Sequence, residues 1–117
     1  MKTFNAIAAQ GDLMVRRINI LPENITSMKA ENGLYIVAHS ETGHHHAIAE
    51  KPNVRVFESS DPMVSYLEVI EAADQTETLL EHLRSFDTHE TISISPGFYE
   101  IRRQREYTPE GWRKVQD

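Results

Sequence analysis

The sequence predicts an all-β domain, a small barrel or sandwich of about eight short, mainly antiparallel strands with at most one short helix. Three observations carry this. β-branched and aromatic residues recur in runs of four to eight. Gly, Pro, Asn or Asp interrupts the chain every eight to twelve residues or so. Met63 to Ala73, which also admits helical spacing, is rich in β-branched and aromatic residues over its first eight positions. The 117 residues fit one domain with one core, spanning 1–117 without a visible linker.

The elements follow in order. Met1 to Gln10 is weakly patterned, with Phe4, Ile7 and Ala8 in a short strand or helical turn. Gly11-Asp12 is a turn signal, and it launches Leu13 to Leu21, a run rich in β-formers that Pro22 ends because proline cannot donate to a ladder. Residues 25–29 and 34–39 read as the two arms of a hairpin around Asn32-Gly33, a pair that tolerates positive φ. Ser40 to Gly43 turns the chain into His44 to Ala49, and Val54 to Phe57 is the next strand. Met63 to Ala73 favours strand over helix. Thr78 to Leu83 fits a strand or a short helix. Thr91 to Ser95 alternates polar and apolar residues, as a half-buried strand does. Pro96-Gly97 then predicts a turn, with Phe98 to Tyr107 pairing back as a second hairpin. Thr108 is placed to cap a short helix with Pro109 at its first position, and the tail from Trp112 reads as a helical turn or a frayed end.

Composition limits the function classes. The net charge of −6 argues against broad nucleic-acid binding, which rests on neutralising phosphates with basic side chains. No apolar run approaches the roughly 18 residues of a membrane span. The N-terminal segment lacks the apolar core of a signal peptide. Cysteine is absent, so there is no disulfide framework and no thiolate ligand, a composition that fits the cytoplasm.

Side chains that do chemistry concentrate in one stretch, Ala38 to Glu50. It holds four of the six histidines: His39, His44, His45 and His46. On a strand, His44 and His46 face the same way with Cβ atoms about 7 Å apart, close enough for two imidazoles to converge on one ion. His45 faces away. A third ligand has to come from His39, His89 or Glu50, with Glu41 and Asp87 as weaker alternatives. The ion would be a divalent metal such as zinc, iron or nickel. With an open position it activates water or polarises an oxygen, and iron on two histidines and one carboxylate supports oxygen chemistry. Glu41 or Glu50 is then the candidate general base. The competing interpretation is a solvated or hydrogen-bonded histidine cluster with no metal role.

The final strand places Tyr99, Ile101, Arg103, Arg105 and Tyr107 on one face. Arg103 and Arg105 are candidates for gripping a carboxylate or phosphate, against a plainer role in cross-strand ion pairs. The length and charge of this strand also suggest an edge that pairs with another chain, a second copy included.

His44-x-His46 followed by Glu50 resembles part of the first cupin motif, in which such residues hold a metal inside a small β-barrel. The glycines that flank that motif are not in place here. The chain also resembles a group of small bacterial and phage-associated proteins through Gln10-Gly11-Asp12, through Ala38-His39-Ser40-Glu41-Thr42-Gly43-His44-His45-His46, and through Pro96 to Tyr107. That resemblance implies a shared fold and site, without a reaction. The two readings carried forward are a metal-binding β-protein and a non-enzymatic binding or assembly module.

Overall fold

A computed structural model describes residues 2–3, 6–10, 12–38, 45–71, 77–82, 91–103, 105–108 and 111–114. The described residues contain strands and no helix: β1 (Lys2–Thr3), β2 (Ile7–Gln10), β3 (Leu13–Ile18), β4 (Thr26–Ser27), β5 (Leu34–Ala38), β6 (His46–Ala49), β7 (Val54–Glu58), β8 (Val64–Val69), β9 (Thr78–His82), β10 (Ile92–Ile94), β11 (Gly97–Arg103), β12 (Arg105–Thr108) and β13 (Gly111–Lys114). One sheet runs β1-β10-β9-β6-β5, a second runs β2-β3-β11-β8-β7-β4, and β12 and β13 form a separate ribbon. The sheets do not close into a barrel. They make a sandwich, antiparallel throughout except for the β1–β10 pair.

The alternation of side chains builds the core. In the first sheet Ile92, Leu80 and Ile48 stand side by side on neighbouring strands, and all three are fully buried. In the second sheet Val56, Leu67 and Tyr99 form the matching row, also buried. On β11 the outward residue Glu100 meets Arg16 at 3.3 Å and Arg102 at 3.4 Å. Both arginines are about half exposed, so these pairs contribute little. The Arg16 pair crosses strands, from β3 to its register partner on β11, while Arg102 reaches Glu100 along its own strand.

Two expected hairpins are corrected. Asn32 (φ 52°) and Gly33 (φ 79°) do make the tight turn, closed by a bridge between Glu31 and Leu34. The arms then diverge: β4 pairs with β7 in the second sheet, and β5 pairs with β6 in the first. Pro96-Gly97 likewise passes the chain from β10 in the first sheet to β11 in the second, where β11 lies between β3 and β8. Turn chemistry is the same for a hairpin and for a change of sheet. What decides is whether the next strand buries its apolar face better beside its neighbour or opposite it. The strand expected over Phe98 to Tyr107 is also two elements, β11 and β12. The helix expected after Thr108 is absent, because Thr108 pairs with Gly111 and Tyr107 with Trp112 in the β12–β13 ribbon.

The crossover into β11 is pinned. Tyr99 Oη donates to Ser95 O at 2.7 Å. Arg17 Nη2 donates to Pro96 O at 2.9 Å, and its guanidinium lies 5.8 Å from the Tyr99 ring centre. Gly97 has φ 152°, and a Cβ there would meet Arg17 Nη2 at 2.9 Å. Gly97→Ala is therefore expected to cost about 1–3 kcal/mol, read as a lower urea midpoint with an unchanged slope. A loss below a few tenths would refute the strain.

Candidate functional site

β2 and β3 are joined at residues 11 and 12, since Gln10 is in register with Leu13. A turn residue is normally solvated, yet Asp12 is completely buried. The turn tucks between the sheets, carrying Gln10 and Asp12 toward β6. From the opposite sheet His46, at the start of β6, points into the same space and is fully buried too.

Gln10 Nε2 donates to Leu80 O at 2.9 Å. That fixes Gln10 Oε1 as an acceptor, 2.8 Å from His46 Nδ1, so this nitrogen carries the proton. The other nitrogen, Nε2, faces Asp12 Oδ1 at 3.3 Å. The second carboxylate oxygen, Oδ2, accepts from Arg103 Nε at 3.0 Å. Leu80, Gln10, His46, Asp12 and Arg103 thus form one polar chain through the centre of the sandwich, contributed by both sheets. Burying three ionisable groups costs several kcal/mol per charge unless each is paired.

The predicted residues separate clearly. His46 is central, as strand alternation requires. Arg103 faces inward after Tyr99 and Ile101 but grips Asp12. His39, Glu41, His44 and His89 lie outside the described residues, as does the side chain of Arg105. β5 and β6 are antiparallel neighbours with Ala38 in register with His46, and of the histidine-rich stretch between them only His45 is among the described residues. Glu50 is exposed just beyond β6, with its backbone N–H on Gly33 O. It is about 13 Å along the strand from His46, too far to act there.

Sequence reasoning did not place Gln10 or Asp12 in a site: Gln10 closed a weakly patterned segment, Asp12 belonged to a turn signal, and both entered only through the Gln10-Gly11-Asp12 resemblance. It also passed over His82, which β-sheet register sets directly opposite His46 on β9. Among the described residues no group of three His, Cys, Asp or Glu side chains is placed to hold a metal.

Beside this cluster, between the sheets, lies a cleft of about 440 Å³ that Arg103 lines together with Leu13, Met28, Ile36, Val37 and Ile101. Its mouth carries Glu58 and the Ser59 to Pro62 loop.

Fold and site together define an all-β sandwich whose sheets are joined by a buried Gln–His–Asp–Arg cluster. The chain belongs to the DUF8820 family, a domain of unknown function, whose model matches residues 9–104. No curated protein and no solved structure matches it.

Proposed function

We propose that this is a small metal-binding β-sandwich protein in which His46 and Asp12 are the nucleus of the site. The observation that carries the reading is the 3.3 Å between His46 Nε2 and Asp12 Oδ1. Two donors each about 2.0–2.2 Å from one tetrahedral ion lie about 3.3–3.6 Å apart. The surroundings fit as well. Metal-bound histidines generally give their second N–H to an acceptor that fixes the tautomer, and Gln10 Oε1 serves His46 in this way. Arg103 holds Oδ2 of Asp12 and leaves Oδ1 toward the imidazole. The remaining ligands are proposed to come from His44 and from His39 or His89. Such an ion supplies Lewis acidity and activates water. Gln10 orients the imidazole and Arg103 orients the carboxylate.

The second reading is a metal-free tie between the sheets, within a non-enzymatic binding module. The observation that favours it is that the same four residues already form a continuous hydrogen-bonded and ionic chain.

Metal analysis of untagged protein separates the two. The expected result is about one equivalent of bound metal, a higher melting temperature on adding zinc, and loss of both in His44→Ala and His46→Gln. Metal-free protein whose melting is unmoved by zinc, nickel or iron(II) would overturn the metal site and leave the tie.

A further inference from the structure

We infer that the cleft between the sheets is a binding site for a small carboxylate with an apolar body, held through Arg103. This goes beyond the metal site and does not depend on an ion being bound.

One part of the cleft wall is apolar, with Leu13 and Ile101 from the second sheet, Ile36 and Val37 from β5, and Met28, while Ser59, Ser60, Ser65 and two carboxylates make the rest polar. Into this lining projects one cation. Among the described residues the Arg103 side chain is tethered at one point, with its Nε on the buried Asp12. Its backbone N–H is held on Met63 O at 2.8 Å, which fixes the end of β11 against the cleft wall. The terminal amines of the guanidinium have no partner among the described residues, while the side chain is only 11% exposed. A guanidinium held by one edge keeps its other N–H groups for a planar acceptor, and a carboxylate matches that geometry with two parallel hydrogen bonds. Apolar side chains beside a few placed polar groups suit a small molecule with a hydrocarbon part and a charged end, and the volume falls at the lower end of the usual range of roughly 300–1,000 Å³.

The mouth narrows the choice of ligand. Glu58 and Asp61 are placed there, and Asp61 Oδ1 is held by the Met63 backbone N–H at 2.9 Å. Two carboxylates at the entrance repel a dianion such as a phosphate monoester more strongly than a single carboxylate. The apolar lining needs a hydrocarbon body to fill it. A monocarboxylate with a short alkyl or aryl body meets both conditions.

Amide NMR titration of the full chain in EDTA, with hexanoate as the probe, tests this. Hexanoate is expected to shift the amides of Ile36, Val37, Met63 and Val64 saturably. Hexanol and hexyl phosphate are expected to bind at least tenfold more weakly. Arg103→Lys should weaken hexanoate by tenfold or more. Met28→Trp, which fills the cleft and leaves the Arg103–Asp12 contact intact, should abolish the shifts in a folded protein. Equal binding of hexanol, or hexanoate shifts that persist in Met28→Trp, would overturn the assignment. Metal content plays no part in this readout, so its failure leaves the metal reading to its own test.

Discussion

Asp12→Ala is expected to lower stability by about 3–5 kcal/mol, the usual cost of removing one partner from a buried charged pair. The carboxylate stands between the His46 imidazole at 3.3 Å and Arg103 Nε at 3.0 Å. Both neighbours belong to elements that cannot turn outward without breaking their sheets. Its loss takes the carboxylate away from Arg103 Nε and from beside the His46 imidazole. Domains of this size have only about 5–15 kcal/mol to lose, so the variant should be close to unfolding at 37 °C. Urea denaturation measures it, and a double-mutant cycle with Arg103→Met isolates the Asp12–Arg103 coupling. A cost below about 1 kcal/mol would mean that the cluster is not what holds the sheets together.

Leu80→Ala is the second large effect, expected at about 2–5 kcal/mol. Leu80 lies between Ile92 and Ile48 in the first sheet and is fully buried. Removing its branched end opens a cavity facing the Val56, Leu67 and Tyr99 row, and close-packed β rows relax only partly around a void. The Leu80 carbonyl also accepts from Gln10, so a shift of β9 reaches the polar chain. Ile20→Ala is the control. Ile20 is 77% exposed, so the change should stay within about 0.5 kcal/mol. Equal effects at the two positions would contradict the placement of the core.

The strands were readable because their signals are local. The alternation in Thr91 to Ser95 and the β-branched run in Val54 to Phe57 each name an element from a few adjacent residues. Pairing was not readable, because Asn32-Gly33 and Pro96-Gly97 look the same whether the chain returns beside itself or passes to the facing sheet. The site divides in the same way. Strand alternation kept His44 and His46 and set His45 aside, and of the two only His46 falls among the described residues. Asp12 was hidden because a Gly-Asp turn is usually solvated, and its partners are remote in sequence. His46 comes 34 positions later and Arg103 comes 91 later. No local pattern announces that a turn will be buried.

The position of β11 has a kinetic consequence. It fills the slot between β3 and β8, although it is the last strand of either main sheet to leave the ribosome. Until Gly97 to Arg103 emerges, β3 and β8 each present an open edge, and the carboxylate of Asp12 has no guanidinium to meet. Folding that waits on contacts between strands far apart in sequence is slow, in the millisecond-to-second range for β-rich domains. Unpaired strand edges are the places where such chains aggregate meanwhile. The hydrophilic turn at Asp12 that later becomes the centre of the molecule therefore completes its surroundings only once β11 has been made.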